Sequence, residues 1–139
     1  MKNKFFKLIT LLYLFILASC GTSLERPKSN TDYKNIMGKP IKIDNLEVAQ
    51  YDFPDKIKWH DANKACAALG DGWRLPTKDE LNTLYQNKNE IGNFSGDNQY
   101  WSSTESWYGG KMWLQYFDDG SQKFNDKYYP YYVRAVRAF

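Results

Sequence analysis

Pro76 followed at once by Thr77-Lys78-Asp79-Glu80 leaves the middle of this chain little conformational freedom. The proline ring excludes Leu75 from the α region, so Gly72-Trp73-Arg74-Leu75-Pro76 is short and extended. Thr77 and Glu80 then form a capping box, in which a hydroxyl and a carboxylate each satisfy a free backbone N–H. A helix must start there. Leu81, Leu84 and Tyr85 make its apolar stripe, and it ends near Lys88. Just upstream, Ala62, Ala65, Cys66 and Leu69 fall at i, i+3, i+4 and i+7, with Gly70 where a C-terminal cap belongs. This spacing predicts a helix over about Trp59–Leu69.

On either side the helical period is lost. Ile41, Ile43, Leu46 and Val48 alternate roughly with polar residues and predict one or two short strands, with a bulge near Asn45. Asp52–Lys56 reads as a turn. Downstream, Gly92–Asn98 reads as a loop, Gln99–Thr104 and Lys111–Phe117 as strands, and Asp118-Asp119-Gly120-Ser121 as a hairpin turn leading into Gln122–Asn125. Tyr131–Phe139 is expected to be a final strand; Val133 and Val136 face opposite sides of it, which implies burial on both faces or a bulge. Local helices followed by antiparallel strands define an α+β domain.

The start of the chain is an address. Lys2, Lys4 and Lys7 precede the apolar run Leu8–Leu17, the n-region and h-region of an export signal. That run is well short of the roughly 20 residues needed to span a bilayer. It ends in Leu17-Ala18-Ser19-Cys20, which resembles a bacterial lipobox, implying cleavage after Ser19 and acylation of Cys20. Several acyl chains anchor stably where a single chain binds marginally. The division expected is therefore a signal over 1–19, a lipidated Cys20 with a polar tether through residue 38, and a domain over 39–139. The place is the bacterial cell envelope, outside the cytoplasm.

Those same three lysines account for the whole formal charge of +3 in this 139-residue chain; beyond them acids and bases balance. A neutral domain lacks the basic stripe that displaces phosphate counterions, so nucleic acid is not an expected partner. With Cys20 consumed by lipid, Cys66 has no partner for a disulfide, and the one histidine, His60, leaves no ligand set for zinc. No cofactor and no metal are expected.

Three motifs in order carry a resemblance. Ala62…Cys66…Leu69-Gly70-Asp71-Gly72-Trp73-Arg74-Leu75-Pro76-Thr77-Lys78-Asp79-Glu80-Leu81, Tyr100-Trp101-Ser102-Ser103-Thr104-Glu105 and Val133-Arg134-Ala135-Val136-Arg137 resemble the C-terminal domain of bacterial collagen-like adhesins. That family is a branch of the C-type-lectin-like superfamily, which includes formylglycine-generating enzymes. The resemblance implies a C-type-lectin-like fold with two helices and a distorted antiparallel sheet. The terminal segment also resembles the ends of retroelement-diversified ligand-binding proteins, whose surface positions just upstream vary; Ser106–Tyr132 occupies that place. The redox-active cysteines of the formylglycine enzymes and the Glu-Pro-Asn or Gln-Pro-Asp triplets of calcium-dependent lectins are absent.

Cys66 lies on an apolar helical stripe and reads as a small core hydrophobe. Glu105 with Asp118 and Asp119 has the residue types of a glycosidase pair, yet adjacent acids before glycine are turn formers. Asp118, Asp119, Asn125 and Asp126 offer oxygens for calcium without calcium-loop spacing. Arg134 and Arg137 are expected to pair with acids within the fold, Trp73 and Trp101 to be core, and Trp113, Phe117 and Phe124 to be absorbed by packing. What stands out is 13 aromatics among the 40 residues from Tyr100 to Phe139. Trp107, Tyr108, Tyr128, Tyr129 and Tyr131, with Asp119 and Asn125, form the expected ligand-binding set, because such side chains offer contact area at low entropic cost. The expected function is non-enzymatic recognition of a protein or glycan. The rivals are a structural envelope module whose aromatics only pack, and a formylglycine-type enzyme.

Overall fold

The computed structural model describes residues 30–96 and 98–139, so the export signal and Cys20 lie outside the described residues. Ile41–Ile43 (β1) and Leu46–Val48 (β2) form a hairpin turned at Asp44, whose φ of 51° is left-handed, and β2 pairs on its other side with Val136–Ala138 (β8). The expected bulge at Asn45 is this turn. Ile57–Lys58 (β3) pairs with Pro130–Tyr131 (β7). Gln99–Glu105 (β4), Lys111–Tyr116 (β5) and Gln122–Asp126 (β6) make an antiparallel sheet in that order. The register of β4 shifts between Trp101 and Glu105.

Both expected helices form. Trp59–Ala67 (α2) buries Ala62 and Cys66, and Lys78–Gln86 (α3) buries Leu81 and Leu84. The capping box is complete: Thr77 Oγ1 accepts from Glu80 N, while Glu80 Oε2 accepts from Thr77 N at 2.8 Å. The same carboxylate takes two bonds from Arg74, at 2.7 and 2.8 Å, fastening the extended segment to the helix it precedes. Gly70, Asp71 and Gly72 are all left-handed, which is why glycines flank the reversal out of α2. A short helix, Lys88–Ile91 (α4), follows α3.

Two core clusters fill the space between these layers. One gathers Ala62, Cys66, Trp73, Leu75, Trp101, Met112, Leu114 and Val133; the other gathers Leu46, Val48, Leu81, Leu84, Tyr100, Phe117 and Val136. Burial pushes the Cys66 thiol up to about 12, consistent with a packing role.

Two expectations need correction. The tether ends early, because Asn30–Met37 (α1) is helical and buries Ile36, with Tyr33 against the Phe53 ring at 4.9 Å. The described chain is thus already helical upstream of Lys39. The final strand is also broken up. Val133, Arg134, Ala135 and Val136 are all fully buried and change partners as they go: Val133 O accepts from Phe53 N, Ala135 O from Ala49 N, and Val136 bridges Arg74. The backbone bonds of this segment are thus divided among Phe53, Ala49 and Arg74, and only β7 and β8 remain regular.

Candidate functional site

Strand alternation assigns the two faces of the β4-β5-β6 sheet. Met112 and Leu114 point into the core, so Lys111, Trp113 and Gln115 face the other way. Across the ladder, Trp113 is opposite Phe124 and Gln115 opposite Gln122. Helix α3 covers the glutamine part: Gln115 Nε2 donates to Asn82 Oδ1 and Gln122 Nε2 to the Lys78 carbonyl, both at 2.9 Å. Beyond the helix the face is aromatic. Trp113 meets Phe124 edge-on at 5.3 Å, and the ammonium of Lys78 sits 3.6 Å from the Trp113 ring centre.

The β4–β5 loop extends this row. Glu105 accepts from Gly110 N, and Ser106 N donates to the Lys111 carbonyl, closing a tight turn. Gly109 and Gly110 are left-handed there. Trp107 and Tyr108 reach Phe124, the tyrosine nearly parallel to it at 15° and 6.3 Å, the tryptophan edge-on at 5.9 Å. The turn between β6 and β7 adjoins this loop, because Lys127 pairs with Glu105 at 3.6 Å and also lies over Trp59. Two donors, Gly110 N and then Lys127, hold the Glu105 carboxyl below the usual carboxylate range. That second turn presents Tyr128 and Tyr129. Trp107 is 79% exposed, Tyr108 63%, Tyr128 79% and Tyr129 55%. Of the large apolar side chains that are exposed among the described residues, these are four; Tyr51 and Phe139 lie elsewhere.

Three members of the expected set do not join them. Tyr131 is half-buried, meeting Trp101 edge-on at 4.8 Å, and its hydroxyl accepts from Asn125 Nδ2 at 2.7 Å. Asn125 is thereby committed to holding Tyr131. Asp119 lies in the β5–β6 turn, at the opposite end of the strands, where its carboxylate accepts from Ser121 N; that bond lowers its pKa. The same separation divides Asp118 and Asp119 from Asn125 and Asp126, so the four oxygens considered for calcium do not converge. It also divides both acids from Glu105, which dissolves the glycosidase pair. Conversely, Trp113 and Phe124 belong to the surface row, although packing was expected to absorb them; the period-2 alternation of Met112 and Leu114 carried that signal. Lys78 and Lys111 flank the row, and nothing in the local sequence marked them.

Both terminal arginines pair as expected. Arg137 donates to Glu47 and Arg134 to Asp52, each at 2.6 Å.

The model for the Lcl C-terminal domain family matches residues 29–137. The chain belongs to the Lcl C-terminal domain family. Its fold is C-type-lectin-like: the crystal structure of botrocetin is similar over 73% of this chain and 98% of its own, with a TM-score of 0.53 and 12% identity. At that identity the likeness concerns fold alone. No curated protein matches the sequence. The family match includes α1. No helix among the described residues is long and apolar enough to cross a membrane.

Proposed function

We propose that this Lcl-family domain is a ligand-binding module of adhesin type, lipid-anchored through Cys20 outside the bacterial cytoplasm. It recognises a protein or glycan through the aromatic loops at one end of the β4-β5-β6 sheet. One observation carries the reading: Trp107, Tyr108, Tyr128 and Tyr129 are all exposed on two turns joined by the Glu105–Lys127 pair. Singly exposed aromatics need no explanation, but a cluster rimmed by polar groups marks an interaction surface. Lys111, 5.5 Å from the Tyr108 ring, and Lys78 over Trp113 supply that polar rim. Recognition is non-enzymatic in this reading: the buried thiol of Cys66 is out of reach, Glu105 is spent on its turn and on Lys127, and Asp119 on the β5–β6 turn.

The test is a glycan array and an envelope-protein pull-down with the purified chain, repeated with Trp107→Ala and with Tyr128→Ala. Truncating the best anchors should cost about 2 kcal/mol of binding, roughly thirtyfold in affinity. Undiminished binding by both variants would place recognition elsewhere on the domain.

A further inference from the structure

The end of the domain where the chain enters carries its own surface. Asn35, Ile36, Tyr51, Asp52 and Pro54 line an open groove of about 340 Å3, and Tyr51 stands 45% exposed beside it. Asp52 contributes no free charge, because its carboxylate is bonded to Arg134, Tyr100 and Ser95 N. The backbone of Tyr51 is fixed to α1 by its N–H on the Ile36 carbonyl at 3.0 Å, so groove and helix move as one. Asn35 is five residues into α1, about 8 Å along its axis from Asn30.

Chain length then limits where this groove can be. Nine residues separate Cys20 from Asn30. Fully extended, ten peptide steps span at most about 36 Å, comparable to the width of the domain itself. An anchor at Cys20 therefore keeps the start of α1 within about 36 Å of the bilayer, whichever way the intervening chain runs. The aromatic loops lie at the far end. Asp52 reaches the beginning of β4 through Tyr100, whereas Trp107 follows its end, about 20 Å away along the strand.

We infer that the Tyr51 groove is a docking surface for the bilayer that carries the anchor, seating the domain with its aromatic loops facing away from the lipid. A tyrosine suits the headgroup region because its ring is apolar and its hydroxyl stays wet. The inference rests on the lipid anchor of the proposed function.

The experiment uses the processed, lipidated chain reconstituted in vesicles of phosphatidylethanolamine and phosphatidylglycerol. Nitroxide labels are placed in turn at Tyr51→Cys, Asn35→Cys and Trp107→Cys, three exposed positions where substitution leaves the core intact; buried Cys66 takes no label. Power saturation with oxygen, which concentrates in lipid, and a water-soluble nickel chelate reads the depth of each. Labels at 51 and 35 should favour oxygen at least threefold over the label at 107. If the protein floats with the vesicles but all three labels stay equally open to nickel, the docking surface is wrong while the anchor stands. A label at 107 deeper than at 51 overturns it as well. Protein that does not float with the vesicles overturns the anchor, and the docking with it.

Discussion

Arg134 and Asp52 are 82 residues apart in sequence and meet at 2.6 Å, both side chains removed from water. The guanidinium donates further to the carbonyls of Ala49 and Asn93 and stacks 4.1 Å from the centre of the Phe94 ring. The second Asp52 oxygen accepts from the Tyr100 hydroxyl and Ser95 N. Burial, then the neighbouring carboxylate, pushes the Tyr100 phenol upward, so it stays a donor. One hub thus ties the β2–β3 connection, the loop before β4 and the C-terminal segment together.

Removing the charge from this hub should be severe. Asp52→Asn keeps the shape but leaves a buried guanidinium without its counter-charge, an imbalance that costs about 3–5 kcal/mol. Urea unfolding should show a large fall in midpoint with an unchanged slope. A loss below about 1 kcal/mol would mean that the carbonyls alone satisfy Arg134.

The aromatic loops should behave oppositely. Alanine at Trp107, Tyr108, Tyr128 or Tyr129 should leave stability within about 0.5 kcal/mol of wild type. Tyr131→Ala should cost more than about 1 kcal/mol, since it removes an edge-on contact with Trp101 and strands Asn125. Trp73→Ala and Leu75→Ala should each lose roughly 2–5 kcal/mol. Thermal melts of the seven variants should sort into these groups; loop variants melting with the core ones would make the loops part of the core.

Glu80 gives the domain an acid-sensitive joint. The hydrogen bonds from Arg74, then that from Thr77 N, hold its carboxyl below the ordinary value. A carboxylate with a lowered folded-state pKa contributes stability above its unfolded pKa and loses it as pH falls through the folded one. Glu80→Gln should therefore cost about 1 kcal/mol at pH 7, a modest figure because the Arg74 side chain is 40% exposed. The gap from wild type should close as pH drops below about 4. A gap that persisted at pH 2 would assign the effect to shape rather than charge.

Cys66 should be silent in the native state. With its thiol pushed up to about 12 and no exposure, it should react with a disulfide reagent only as fast as the domain opens. Cys66→Ala should cost about 1 kcal/mol and leave binding unchanged. Rapid native labelling would reveal an open path to α2.

Legibility followed the range of the interactions. The capping box, the α2 stripe and the Gly70 reversal are settled by residues within four positions of one another, and each is where the sequence placed it. Helix α1 had a comparable signal, Tyr33, Ile36 and Met37 at i, i+3 and i+4 before left-handed Gly38, but the polar stretch around Pro27 concealed it. Composition marks the site in the sequence, but its arrangement depends on strand register. Asp119 and Asn125 are six residues apart, and only the β5–β6 register sends them to opposite ends of a hairpin. The burial of Tyr131 depends on Trp101, which no local pattern reveals.

The β4–β5 connection has a heritable consequence. Trp107 to Gly110 are all exposed, and the turn is closed by Glu105, Ser106 and Lys111. Tyr128 and Tyr129 are placed by the backbone of a second turn. Codons for these few positions can drift without touching a side chain the interior depends on, whereas Met112, Leu114 and Phe117, only a few residues further along, cannot. Descendants of this chain are free to change the face these turns present faster than they change how they fold.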